Sequence, residues 1–169
     1  MIELERTFLL KELPSNLESC PKKEVIDIYI PPTSHHPCLR IRKNGNTYEI
    51  TKKAPIKDGD ASKQKEHTIP LTPEEFHSLQ SLNGKKVSKI RYQYTWQNKI
   101  CEIDIFQDLL TGLALIDFEF DSEQEKDSFP PPPFCGPEVT QETCIAGGIL
   151  AGKSFDDIKH QLEKLSPSQ

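Results

Sequence analysis

Along much of the chain, apolar and polar positions alternate with a period of two, the spacing of an extended strand whose two faces meet different surroundings. In IELERTFLL, residues 2–10, the apolar Ile2, Leu4 and Phe8 interleave with Glu3, Glu5 and Thr7. EVIDIYI at 24–30 predicts a second strand, closed off by Pro31-Pro32. LRIRKNGNTYEITKK predicts a hairpin, because Asn44-Gly45 tolerates the positive φ of a tight primed turn. KEHTI reads as a short strand, VSKIRYQYTWQNKICEIDIF as a second hairpin turning near Gln97-Asn98, and LALIDFEF as a strand after the break at Gly112.

The period changes in three places. Thr72-Pro73-Glu74-Glu75 offers a capping hydroxyl, proline at the first helical position and Glu at the third, ahead of Phe76, Leu79 and Leu82. Asp121-Ser122 caps a short helix over EQEKDSF, stopped by Pro130 to Pro133. Ser154 caps a C-terminal amphipathic helix at about 154–165, with Phe155, Ile158, Leu162 and Leu165 on one side. The pattern is mostly strand with accessory helices, and 169 residues suit one domain over 1–169.

The polar halves of the strands carry charges sorted by sign. Glu3 and Glu5 share a face, as do Arg40 and Arg42, Lys89 and Arg91, Glu102 and Asp104, and Asp117 and Glu119; Lys52 shares one with Ile50. A solvated charged sheet is the plain explanation. Like charges grouped this way repel on a flat surface, whereas a closed sheet gathers them in a lumen and turns its apolar backs toward covering helices. Such a lumen suits a polyphosphate with divalent ions: Arg40, Arg42, Lys52, Lys89 and Arg91 for phosphate oxygens, and Glu3, Glu5, Glu102, Asp104, Asp117 and Glu119 as hard oxygen ligands for Mg²⁺ or Mn²⁺.

The remaining composition adds little to this. A net charge of -5 gives no global attraction to nucleic acid, and Tyr92, Tyr94 and Trp96 follow strand periodicity, which favours packing over base stacking. No apolar run reaches membrane-span length, and the five cysteines contain no CxxC pair, so a cytoplasmic protein with reduced thiols is expected. His35 and His36 beside Pro37 suit an exposed loop. Asp58 and Asp60 around Gly59 suit a polar turn and lack the downstream ligands of a calcium loop.

Taken in order, these stretches resemble the CYTH family, also called triphosphate tunnel metalloenzymes. IELERTFLL resembles its ExExK strand, LRIRK its arginine strand, YEITKK the strand ending in lysine (here Lys52), SKIRY its KxR strand, EIDIF its ExDxF strand, DFEF its ExEF strand, and CGPEVT its GxEVT turn. The ordered matches run from residue 2 to about 151. The resemblance implies an eight-stranded antiparallel closed β-barrel forming a triphosphate tunnel, and a Mg²⁺- or Mn²⁺-dependent triphosphatase acting on inorganic tripolyphosphate or a small organic triphosphate. Glu102, Glu119 and Lys89 are its expected catalytic residues, working as a monomer or homodimer. Related readings are an adenylate cyclase and a nonhydrolytic polyphosphate- or nucleotide-binding module. The chain departs from the family pattern at Thr7, which replaces the lysine of ExExK, at Ser62 and Gln64, and at Cys144, Ile145 and Gly147, where a basic and aromatic cluster is usual.

Overall fold

A computed structural model describes residues 2–57 and 60–165, with the backbone alone at residue 2. Asp58 and Gly59 of the expected polar turn lie outside the described residues. Among the described residues nine strands form: β1 (Ile2–Leu10), β2 (Lys22–Ile30), β3 (Leu39–Asn44), β4 (Thr47–Pro55), β5 (Lys63–Leu71), β6 (Lys85–Trp96), β7 (Lys99–Phe106), β8 (Ala114–Phe120) and β9 (Cys135–Glu138). Four α-helices accompany them among the described residues: α1 (Pro73–Leu79), α2 (Glu123–Ser128), α3 (Gly147–Leu150) and α4 (Phe155–Leu165).

The sheet runs β5–β4–β3–β2–β6–β7–β8–β1 with antiparallel pairing throughout, and β1 returns to pair with β5, closing an eight-stranded barrel. Closure leaves no free edge among these strands. One side of β1 is divided between two partners: Ile2–Leu4 meets β5, whereas Phe8–Leu10 meets β9, a strand the alternation did not announce.

Local chemistry accounts for the turns and caps. Asn44 remains the last residue of β3, paired with Thr47, so the two-residue loop is Gly45-Asn46 and only Gly45 takes a positive φ, 63°. This shifts the expected turn by one residue. In the β6–β7 hairpin both Gln97 and Asn98 take positive φ, as a primed turn requires. The capping box of α1 is complete: Thr72 accepts from the Glu75 amide at 3.2 Å, and Glu75 accepts from the Thr72 amide at 2.8 Å. Phe76 is buried against Tyr48, but the helix ends at Leu79 and leaves Leu82 about half exposed, so the third apolar position does not join the seam.

Two apolar clusters follow from the alternation. The outer one contains Phe8, Tyr92, Tyr94, Cys101, Ile103, Ile116, Phe118 and Phe120, beneath Leu17, Phe129 and Phe134. Phe134, delivered by the proline run, packs edge-on against Tyr94 and Trp96 at ring distances of 5.7 and 5.2 Å, which confirms the structural part expected of those aromatics. The second cluster lies at one end of the barrel. There the inward positions turn apolar, as Tyr29, Val87, Phe106 and Leu115, and pack against Leu110, Leu113, Val139, Leu150, Ile158 and Leu162. The helices were expected on the barrel exterior; instead α3 and α4 stop this end, because an apolar ring inside the barrel needs an apolar partner. Burying Ile158 and Leu150 completely contributes about 1.5–3 kcal/mol each.

Candidate functional site

The inward residues form layers along the barrel axis. Beyond the apolar ring of Tyr29, Val87, Phe106 and Leu115 lies a mixed layer of Thr7, Asp27, Arg40, Arg42, Lys89, Asp104 and Asp117, then a more acidic one of Glu3, Glu5, Arg91, Glu102 and Glu119. These layers line a cavity of about 500 Å³ that the 36–38 and 140–148 segments also border.

Pairing across neighbouring strands orders the mixed layer. Arg42 donates from Nε and Nη2 to the two oxygens of Asp27, at 2.6 and 2.8 Å, as a two-pronged ion pair buried on both sides. Arg91 repeats this on Asp104 at 2.7 Å for each prong, pairs also with Glu102, and shares Asp104 with Lys89. Thr7 donates to Asp117 at 2.7 Å. In the outer layer Lys53 lies 2.7 Å from Glu3 and 3.1 Å from Glu5.

Most of the expected site residues therefore come together, and one does not. Lys52 points to the barrel exterior and is exposed, while Lys53 lines the cavity. The correction follows from register: Arg40 pairs with Thr51 and Arg42 with Glu49, so the odd-numbered residues of β4 share the lumen with the even-numbered arginines of β3. Parity across a two-residue hairpin loop already carried that information. Both oxygens of Asp104 accept from Lys89 and Arg91, so in this structure it is their counter-charge. No doublet marks Asp27 in the sequence, because the residues two away on its face, Val25 and Tyr29, are uncharged.

Electrostatics separates the acids into two groups. Burial by itself would raise the pKa of Asp27, yet Arg42 and Arg40 hold it well below the carboxylate range. Burial likewise opposes ionisation of Asp104, and Lys89 with Arg91 outweighs it. Glu5, Asp117 and Glu119 go the other way: burial pushes each up, and neighbouring acids add to the push, Asp117 acting on Glu5, Asp104 on Asp117, and Glu102 with Glu3 on Glu119. Lys89 is pushed down by burial, against the pull of Asp104.

Burial first, and neighbouring acids second, disfavour the charged forms of Glu5, Asp117 and Glu119, and hard oxygen donors in such a setting fit a divalent cation. Among the described residues no three His, Cys, Asp or Glu side chains form a ready-made ligating cluster. Glu3, Glu5, Glu102, Asp117 and Glu119 are the donors that fit.

At the departure from the family pattern near residue 147, the structure supplies a reason for glycine. A Cβ on Gly147 would stand 2.0 Å from the Tyr29 hydroxyl, and one on Gly148 would stand 2.3 Å from the Pro37 carbonyl oxygen. The 36–38 loop and the Tyr29 ring occupy the space that a side chain there would need.

No protein-family model matches the sequence. An inorganic triphosphatase from Nitrosomonas europaea is 32% identical over 154 residues, which span 89% of this chain and 97% of that protein. A crystal structure of an inorganic triphosphatase superposes with a TM-score of 0.64 and 29% identity, covering 88% of this chain and 93% of that one. The crystal structure of a putative adenylate cyclase from Bacillus halodurans matches with a TM-score of 0.59 at 20% identity, over 95% of this chain and 97% of the other; at that identity the likeness speaks to fold.

Proposed function

The chain belongs to the CYTH, or triphosphate tunnel metalloenzyme, family, and on that premise we propose that its lumen hydrolyses a linear triphosphate, inorganic tripolyphosphate foremost, to release orthophosphate. The observation that carries this reading is the layered lumen, in which Arg40, Arg42, Lys53, Lys89 and Arg91 face Glu3, Glu5, Glu102, Asp117 and Glu119 within one cavity. Opposed basic and acidic walls suit a polyanion that arrives with cations.

The side chains divide the work. Arg40 and the lumen lysines neutralise phosphate oxygens and hold the chain in line, so that positioning and charge stabilisation carry most of the catalysis. Mg²⁺ or Mn²⁺, held by Glu3, Glu5, Glu102, Asp117 and Glu119, would disperse the charge that builds on the phosphoryl oxygens. The apolar ring and α4 exclude water from the far end, which strengthens every interaction in the layer beside it.

Purified protein incubated with tripolyphosphate, thiamine triphosphate and ATP, in Mg²⁺ and in Mn²⁺, is expected to release orthophosphate in a metal-dependent manner. A panel without release in either metal would overturn the hydrolase reading.

Thr7 gives a second prediction. Its hydroxyl answers Asp117 where the family's lysine would bring a charge, and burial together with Asp104 already raises the Asp117 pKa. Thr7→Lys places an ammonium against that carboxylate and within reach of phosphate. It is expected to raise kcat/KM for tripolyphosphate about tenfold, equivalent to ~1.4 kcal/mol of transition-state stabilisation. Unchanged steady-state kinetics would show that the hydroxyl already suffices.

A further inference from the structure

The three lumen arginines are not equivalent. Arg42 has both prongs of its guanidinium occupied by Asp27, and Arg91 has both of its own occupied by Asp104. Arg40 differs. Its Nε is buried without a hydrogen-bond partner, its Nη1 reaches the Tyr29 hydroxyl only at 3.4 Å, and its nearest carboxylates, on Asp27 and Glu66, stand at 3.9 and 3.8 Å. A buried guanidinium N–H left unpaired carries a desolvation cost that a bound anion removes.

Asp27 thus sits inside the phosphate cradle as a carboxylate of the protein's own. It is 3% exposed, lies directly across the β2–β3 pairing from Arg42, and is near enough to Arg40 to act on it as well. Resting on the triphosphate reading above, we propose that Asp27 is a specificity-determining residue: an internal counter-anion that occupies the two-pronged face of Arg42, cancels its charge, and leaves Arg40 as the guanidinium that grips phosphate. The consequence is selective. A metal-free anion, orthophosphate or tripolyphosphate alike, meets a cradle already half neutralised and is held weakly, while a triphosphate that arrives with its own cations is penalised less.

The proposal reverses the usual expectation for an Arg42 substitution. Arg42→Ala removes a cation but also leaves Asp27 unpaired and repelling phosphate, so its loss of binding does not by itself report a contact between Arg42 and substrate. The pair has to be tested together.

Calorimetric titration of the full chain with tripolyphosphate, and separately with orthophosphate, in EDTA so that turnover plays no part, distinguishes the cases. Asp27→Asn keeps the shape and removes the charge; both anions are expected to bind about tenfold more tightly than to the unaltered protein. Equal or weaker binding would overturn the proposal, leaving Asp27 as a residue that only fixes Arg42 in place. The double variant Asp27→Asn with Arg42→Gln removes anion and cation together and avoids an unpaired buried charge. Its affinity for tripolyphosphate is expected within about threefold of the unaltered protein, and a loss beyond tenfold would show that Arg42 itself holds the phosphate chain. If the unaltered protein binds neither anion, the triphosphate reading falls and this proposal with it; if it binds and Asp27→Asn does not tighten binding, only the proposal falls.

Discussion

Asp104→Asn is expected to lower the melting temperature of the ligand-free protein by about 10 °C. Asp104 is 1% exposed and its two oxygens serve Lys89 and Arg91, so neutralising it strips Lys89 of its paired carboxylate and leaves Arg91 only Glu102 and the more distant Asp117. Breaking a buried ion pair from one side costs about 3–5 kcal/mol, and each kcal/mol moves the transition of a chain this long by roughly 2–4 °C. Tripolyphosphate supplies the missing negative charge, so thermal scans with the anion present should restore more stability to the variant than they add to the unaltered protein. A shift under about 2 °C, or equal stabilisation of both proteins by the anion, would mean that Asp104 is not the keystone of this network.

A loss of about 100-fold in kcat/KM is expected for Lys53→Ala, with Lys52→Ala staying within about twofold. Lys53 faces the lumen between Glu3 and Glu5, whereas Lys52 faces outward on the same strand. Losing one preorganised charge-stabilising group in an enclosed site costs on the order of 10²–10³ in rate. Two further effects add to it: Glu3 and Glu5 lose the cation between them, and the excess negative charge of the lumen grows. Steady-state release of phosphate from tripolyphosphate checks both variants side by side. The opposite ranking would require β4 to sit one residue out of register.

That pair of lysines shows how near the sequence comes to the site. Alternation identifies the strands and places the like-charged doublet of each on one face, and it does so for β1, β3, β6, β7 and β8 without help from the fold. In β4 two adjacent lysines compete for one role, and alternation within the strand is symmetrical between them. The partner strand decides. The two-residue loop at Gly45-Asn46 fixes which parity of β4 joins Arg40 and Arg42, and a slip of one residue would exchange Lys52 for Lys53.

Asp27 and Asp104 extend the point. Each is a carboxylate that reads as a possible ligand or as surface charge. Their work is set by what lies across the ladder: Arg42 opposite Asp27, and Arg91 opposite Asp104. Asp104 was legible as a site residue because Glu102 accompanies it, but not as the counter-charge of two cations. The end of the barrel was harder still. Tyr29, Val87, Phe106 and Leu115 continue the inward face as apolar residues, and the amphipathic pattern of α4 says only that one side seeks cover.

By itself, the sequence determined most of the elements, β9 and α3 excepted, and the charge doublets: strand periodicity, the caps at Thr72, Ser122 and Ser154, the glycine turn, and the acidic and basic pairs that point to a triphosphate tunnel. These are properties of a few neighbouring residues, and local sterics and hydrogen bonding suffice to express them. Tertiary structure alone decided which carboxylates pair with which arginines, and that α3 and α4 stop one end. Those outcomes depend on closing β1 onto β5 and on cross-strand register, which bring charges from distant segments within a few ångströms, where burial makes their pairing decisive.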